Sequence, residues 1–379
     1  MDRPIHLALF IDDLIVGGTQ NWLVHLATAL AQRGFDLRLY AMRARTHPAI
    51  LRRLESCAAV EVIGESRLWR IEGLVHLARE LRAWPADVLQ TLLPTSDWLG
   101  RTLGRWTGVP AVLSSIRGRN VGKPFWQRGL DRATARWAQA IIFNNRDAIP
   151  FAIRHEGVQP HQALYIPNGV AVREPSTARA RVRAELQTPD SAPVIGTVAR
   201  LHAAKNQMDL LRAFAVVRQR HSAAVLWLVG EGDRRAALQK ESRRLGIVDA
   251  VRMPGVREDV DDVLAAMDLF ALPSRWEGMP NALMEAMAAA RPVIAADLDG
   301  IRELVSDGET GWRVPPGDVS ALAAALLHAL DDSALAARMG QAARRRMQER
   351  FSLERMVAAY EAVYRERLAR AGGPRGSSA

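Results

Sequence analysis

The chain has 379 residues, 49% hydrophobic and 24% charged, with a net charge of +10 and one cysteine, Cys57. That length suits two domains, each with its own core, and a single thiol excludes an internal disulfide or a cysteine-rich metal site. The opening apolar run is broken by Asp12-Asp13 and is too short for a signal peptide, and no later run approaches a bilayer span, so a reducing, cytoplasmic compartment is expected.

In chain order, Ile5 to Ile11 is an apolar run of strand length, followed by Gly17-Gly18-Thr19-Gln20 and a helix with Leu23, Leu26, Ala27 and Leu30 on one face. Gly34 ends that helix and Phe35 to Ala41 supplies the next strand. Val60 to Ile63, Val88 to Leu92, Ala111 to Ile116, Ala140 to Phe143 and Ala163 to Ile166 continue the series, with helical stretches between most of them. Alternation of this kind predicts a parallel sheet with helices on both faces. A first domain of residues 1–170 follows.

From 171 to 192 the composition turns to Arg, Ala, Pro, Ser and Thr around one amphipathic helix, which reads as a link between domains. The alternation restarts at Val194 to Ala199 and continues with Val225 to Val229, Val251 to Met253, Leu269 to Leu272 and Val293 to Ala296. A second doubly wound domain is therefore expected over 193–350. A last helix, with Ser352 as N-cap, runs over 351–370, and the Gly- and Ser-rich stretch 371–379 reads as a disordered tail.

The chemistry concentrates in the second domain. Ser274 to Asp297 places Glu277 in a loop and Glu285 on a helix entered through Pro280 and Asn281, with a strand on either side. The loop stands at the carboxyl end of a strand, where open α/β sheets bind ligands. A helix amino terminus there, with the backbone of Gly278, Met279, Pro280 and Asn281, suits a phosphate or a sugar hydroxyl. Each carboxylate can accept a vicinal diol, so a ribose or hexose is the natural partner. Upstream, Arg200 at a strand end and Lys205 before the next helix make a diphosphate site, and their charge could offset a departing diphosphate without a metal. Asp12-Asp13 and Asp261-Asp262 are adjacent pairs that read as solvated, and no Asp-x-Asp sequence stands out. Gly17-Gly18 lets backbone approach a phosphate or sugar closely, although any strand-to-helix connection needs such a turn.

The run from Glu277 through Glu285 to Ala295, continuing through Asp299-Gly300-Ile301-Arg302-Glu303 to Val314-Pro315-Pro316-Gly317-Asp318, resembles the Glu-x7-Glu signature of glycosyltransferase family 4, the group 1 glycosyl transferases. The resemblance implies the GT-B fold: two Rossmann-like, doubly wound parallel-sheet domains facing a cleft, with the last helix crossing back to the first domain. It implies a retaining transfer of a sugar from a UDP- or GDP-linked donor to an acceptor hydroxyl, with no further cofactor. Glu277 then meets the donor sugar, Glu285 the ribose, and Arg200 with Lys205 the diphosphate. Gly17-Gly18 matches the family's glycine turn, Gly230-Glu231-Gly232 its turn near the nucleotide, and Val256 the position that presents backbone to the base. Pro167-Asn168-Gly169 fits its hinge-side turn. The family's first-domain histidine is missing: the corresponding loop reads Ser114 to Asn120, where Arg117 or Asn120 is the candidate for a polar contact on the acceptor side.

The rival reading is a non-catalytic protein that binds nucleotide sugars or, through its basic first domain, nucleic acid. The basic region lacks a recognised motif with interleaved aromatic platforms, so nucleic acid is not expected as a partner. Residues 67–154 carry fourteen basic and six acidic groups together with Trp69, Trp84, Trp98, Trp106, Trp126 and Trp137. That combination suits an anionic membrane surface, though a tryptophan core under a solvated arginine face reads equally well. The family's lipid-linked and lipopolysaccharide acceptors favour a peripheral position at the inner face of the cytoplasmic membrane.

Overall fold

The computed structural model describes residues 3–15, 17–64, 70–118, 123–174 and 176–373, which form two compact units. The first comprises Met1–Gly169 with Leu353–Ala379, the second Val170–Ser352. Asn120, Trp69 and residues 374–379 of the expected tail lie outside the described residues.

The first unit runs β1 (Ile5–Ile11), α1 (Gly18–Gln32), β2 (Phe35–Ala41), α2 (Pro48–Glu55), β3 (Ala59–Val62), α3 (Ile71–Ala83) and β4 (Val88–Leu92). It continues with α4 (Pro94–Thr107), β5 (Ala111–Ile116), α5 (Phe125–Thr134), β6 (Ala140–Phe143), α6 (Ala148–His155) and β7 (Ala163–Tyr165). Its seven strands pair in parallel in the order β3-β2-β1-β4-β5-β6-β7. The central strands are buried on both faces, which is why they are mostly apolar without a strict alternation, and the few polar side chains among them, Gln90, Thr91, Ser114 and Ser115, are buried too.

The second unit opens with α7 (Arg179–Glu185), β8 (Val194–Val198), α8 (Gln207–Arg220), β9 (Val225–Val229), α9 (Arg235–Arg244), β10 (Val251–Gly255) and α10 (Val260–Ala266). There follow β11 (Leu269–Leu272), α11 (Asn281–Ala288), β12 (Val293–Ala296), α12 (Asp299–Arg302), β13 (Trp312–Val314), α13 (Val319–Asp331) and α14 (Ser333–Arg350). Its six parallel strands lie in the order β10-β9-β8-β11-β12-β13. The strand β13, only three residues long, is one that the sequence pattern did not separate from its surrounding loops. In each sheet the winding reverses at one place, between β1 and β4 and between β8 and β11, and the connections leaving those strands diverge to leave a ligand crevice.

Residues 171–192 are part of the second unit and not a separate link. Val182, Leu186 and Ala192 pack into its core, and the wholly buried Arg183 donates to the carbonyls of Asp190 and Ala192 at 2.7 and 2.9 Å and to the Asp268 carboxylate at 2.8 Å. An arginine whose donors are all met this way is as much a core residue as its apolar neighbours. It is the arginine content of the segment that disguised it as a solvated connector.

The last helix, α15 (Leu353–Arg370), belongs to the first unit, where Met356, Val357, Tyr360, Tyr364 and Leu368 join the core beneath β1 and β5. Trp22 Nε1 donates to the Met356 sulfur at 2.8 Å. Among the described residues no single helix is long and apolar enough to cross a membrane. The pair α13 and α14 passes only when joined, across a 101° bend, and its apolar face is core: Leu322, Ala323, Leu326, Ala329 and Ala336 pack beside α8.

Candidate active site

The two loops at the reversal point of the second sheet carry the charges singled out from the sequence. Because β8 and β11 are adjacent, the loop after β8, with Arg200 and Lys205, stands beside the loop after β11, with Glu277. Lys205 Nζ and Glu277 Oε1 meet at 2.6 Å, although 72 residues separate them. The same Oε1 accepts from Ser274 Oγ at 2.6 Å. Glu277 is nearly buried while Lys205 is about a quarter exposed, so the ammonium faces outward and the carboxylate supports it from beneath.

Arg200 is exposed at the end of the strand. Its loop is rigid all the same. The Arg200 carbonyl accepts from Gln207 Nε2 at 3.0 Å, and Leu201 exchanges backbone bonds with Glu231 and Arg234 at 2.9 and 3.0 Å. The Gly230-Glu231-Gly232 turn makes this lacing possible. Gly230 sits at φ 135°, and a Cβ on it would stand 2.1 Å from the Ala199 carbonyl oxygen, while one on Gly232 would stand 2.2 Å from that of Leu201. These glycines are therefore required by backbone-on-backbone packing that fixes the Arg200 loop.

Helix α11 starts at Asn281 with Pro280 as its N-cap residue. Gly278 and the buried Met279 lead into it directly after Glu277. One turn further on, half-buried Glu285 has its carboxyl pushed up to about 7, first by burial and then by the Asp261 carboxylate of α10. Val256, at the exit of β10, is exposed. The second unit thus holds Arg200, Lys205, Glu277 and the start of α11 on neighbouring loops at one sheet edge. That arrangement can neutralise an anion with fixed cations and backbone N–H groups while offering carboxylate acceptors to hydroxyls.

In the first unit, Gly17 is the N-cap of α1, in extended backbone at φ −169°, and Gly18 opens the helix. A Cβ on Gly17 would approach Gln20 Oε1 to 2.6 Å, and Gln20 in turn donates to Asp13 Oδ1 at 3.0 Å. Asp12 and Asp13, read as solvated, are buried instead, whereas Asp261 is exposed and Asp262 partly exposed. Asp12 accepts from the Thr95 and Ser96 N–H groups at 3.0 and 2.7 Å, capping α4, and Asp13 pairs with Arg45 at 2.8 Å. Partners remote in sequence make burial of these charges affordable. Arg117 is also turned inward: its guanidinium lies 3.6 Å from the centre of the Trp22 ring and donates to Asn168 Oδ1 at 2.5 Å. Burial lowers its pKa to about 10, against the opposing effect of Tyr360. It braces the last helix and the Asn168 turn, and its contacts are internal.

Ser274 and Asn206 are site residues that the sequence did not single out. A buried serine or asparagine in a loop carries no periodic signal; only its bonds to Glu277 and Pro273 reveal it.

Two Rossmann-like parallel-sheet units, the second with a cation-bearing and carboxylate-bearing reversal point, define an enzyme of the glycosyltransferase GT-B class. Residues 16–174 match glycosyltransferase family 4 and residues 192–332 match glycosyl transferases group 1. The chain is 33% identical to the lipopolysaccharide core biosynthesis glycosyltransferase LpsE of Rhizobium meliloti (strain 1021), over 91% of this chain and 94% of that one. It is 34% identical to a D-inositol 3-phosphate glycosyltransferase of Streptomyces avermitilis, over 92% and 82% of the two chains. Its fold is that of Anabaena HepE, solved in complex with UDP and glucose, with a TM-score of 0.84 at 21% identity over 94% of this chain and 98% of that one. The chain belongs to glycosyltransferase family 4 and is a glycosyltransferase.

Proposed function

We propose that this enzyme transfers a sugar, with retention at the anomeric carbon, from a uridine- or guanosine-diphosphate donor to a hydroxyl of a saccharide or lipid-linked acceptor. The setting is the biosynthesis of lipopolysaccharide or another cell-surface polysaccharide. The observation that carries the reading is the Lys205–Glu277 pair at the sheet's reversal point, beside Arg200 and the start of α11. Arg200 and Lys205 take the diphosphate, with the backbone N–H groups of Gly278, Met279 and Asn281 adding donors and Pro280 contributing none. Glu277 accepts a hydroxyl of the donor sugar, Glu285 the ribose diol, and backbone at Val256 meets the base. Gly17 and Gly18 give the first unit a backbone edge for the donor. The bond from the anomeric carbon to the donor phosphate oxygen breaks as that from the acceptor oxygen forms, and the acceptor proton passes to the departing phosphate. No side chain acts as nucleophile. The names of the relatives, LpsE among them, support the polysaccharide setting. The test is release of nucleoside diphosphate from labelled UDP- and GDP-sugars: turnover with neither would overturn the reading.

In this reading the charge that develops on the leaving diphosphate is met by Arg200 and Lys205, so no divalent ion is required. Enzyme treated with chelator is expected to keep most of its rate. Complete loss, restored by magnesium or manganese, would overturn that part.

The enzyme works at the inner face of the cytoplasmic membrane in this reading, docked through its first unit. The structure narrows which tryptophans could take part. Trp84 is core, stacked on His6 at 4.7 Å and bonded to Asp36, and Trp98 and Trp137 are half-buried, whereas Trp106, Trp126 and their neighbour Phe125 stand exposed. Basic side chains near an anionic leaflet gain about 1 kcal/mol each. Sedimentation with phosphatidylglycerol vesicles should carry the protein down at low salt and release it at high salt. Protein left in the supernatant at low salt would point to a soluble acceptor.

A further inference from the structure

We infer that Asn206 and Ser274 are positioning residues that lock Lys205 and Glu277 into one preassembled unit, and that sugar transfer depends on them through those two side chains. The inference rests on the donor-site reading above.

Asn206 follows Lys205 directly and sits in the left-handed region, at φ 53° and ψ 38°, ending the short Ala203–Lys205 turn and starting α8. Asparagine tolerates that conformation better than most residues because its short amide can bond locally. Here the amide is almost wholly buried and its Nδ2 reaches both Asp209 Oδ2 at 2.6 Å and the Pro273 carbonyl at 3.2 Å. Pro273 belongs to the other loop, one residue before Ser274. A second tie runs beside it, from the Arg275 N–H to the Ala204 carbonyl at 2.8 Å. The loop that carries the cation is thereby fastened to the loop that carries the carboxylate on either side of Ser274.

Ser274 completes the lock. Its side chain is fully buried, and its hydroxyl donates at 2.6 Å to the same Glu277 oxygen that receives Lys205. Both bonds therefore converge on Oε1, fixing the carboxylate's rotation and directing its other oxygen away from the lock. A site whose charges are held this way before the ligand arrives spends no reorganisation at the moment of reaction. Without the lock, Lys205 would be a flexible four-carbon stem on a mobile turn and Glu277 one of several rotamers. Loss of bonds to charged groups, combined with misplacement of about 1 Å, is worth about tenfold to a hundredfold in rate.

The experiment compares Ser274→Ala and Asn206→Gly with Lys205→Ala and Glu277→Gln, and with the double variants S274A/E277Q and N206G/K205A. Glycine at 206 keeps the left-handed backbone free of strain, and alanine at 274 leaves the packing almost unchanged. The readouts are UDP-glucose affinity by calorimetry, the rate of UDP release to water, and the melting temperature. The expected result is a tenfold to hundredfold slower release in each single positioning variant at a near-wild-type melting temperature. In the double variants the second substitution should add less than about threefold, because a lock acts only through what it holds. Should Asn206→Gly prove unstable, Ser274→Ala with its cycle carries the test alone. Positioning substitutions whose effects multiply in full with those at 205 and 277, or that leave release unchanged while Lys205→Ala and Glu277→Gln abolish it, would overturn the lock alone. Full activity in Lys205→Ala and Glu277→Gln would overturn the donor-site reading and the lock with it.

Discussion

Lys205→Ala is expected to lower sugar transfer about a hundredfold or more, with a melting temperature only a few degrees below that of the parent. The two effects separate because the two jobs of Lys205 differ in size. Its bond to Glu277 joins an ammonium about a quarter exposed to a nearly buried carboxylate that keeps its Ser274 bond after the substitution, so the loss to stability is about 1 to 3 kcal/mol. Its proposed bond to the leaving diphosphate is made where charge grows during the reaction, and removing one such donor costs about a hundredfold to a thousandfold. Lys205→Arg should restore only part of the rate, because a planar guanidinium cannot occupy the place of an ammonium 2.6 Å from Glu277 Oε1 without displacing one partner. A transfer assay run beside thermal melts checks both. Undiminished transfer in the alanine variant would remove Lys205 from the site.

Donor affinity is expected to fall as pH drops below about 7, and Glu285 is the residue responsible. Its carboxyl is raised to about 7 by burial and by Asp261, so it is largely neutral at pH 6 in the free enzyme. A ribose diol donates best to the ionised form, so binding must release a proton at the lower pH. The apparent Kd for the UDP- or GDP-sugar that the enzyme turns over should then rise by up to about tenfold per pH unit below 7 and level off above it. The intact nucleotide sugar is the right probe because, unlike the free nucleoside diphosphate, it has no terminal phosphate that titrates in this range. The folding balance has the opposite sign. A carboxyl whose native pKa is raised above its unfolded value favours the native state while protonated, and that contribution is lost as pH rises from about 4.5 through 7. Glu285→Gln should therefore bind donor more weakly at pH 8, abolish the pH dependence of affinity, and leave the protein at least as stable there. Calorimetry in buffers of different ionisation enthalpy would detect the proton directly. A pH-independent affinity in the parent enzyme would remove Glu285 from the donor site.

Much of the fold was legible because buried parallel strands leave a plain trace. Ile5 to Ile11 and Val225 to Val229 are largely apolar runs of strand length, Phe35 to Ala41 alternates apolar with polar residues, and the strands occupy those residues. Strand β13 left no such trace because Trp312 and Arg313 are only half-buried, so its pattern does not differ from a loop. The tryptophans could not be sorted from the sequence for the reverse reason. Trp84 and Trp106 look alike in sequence, each a few residues from arginines, yet one is packed under His6 and the other is exposed.

By itself the sequence determined the two parallel-sheet domains and the positions of Arg200, Lys205, Glu277 and Glu285 along the chain, because hydrophobic runs, breakers and local motifs are written residue by residue. Tertiary structure alone decided which of those groups meet. Only the adjacency of β8 and β11 brings Lys205 to 2.6 Å from Glu277. The same holds inside the first unit. Lys123 bonds both Asp131 at 2.7 Å and Glu156 at 3.0 Å, all three buried, while Thr91 donates to Asp97, whose carboxyl burial raises to about 7. Nothing near Lys123 in the sequence marks it as a core residue. A charge can leave water only when its partner is already in place, and the partner's place is set by strand order, a property of the whole sheet that no local stretch of chain contains.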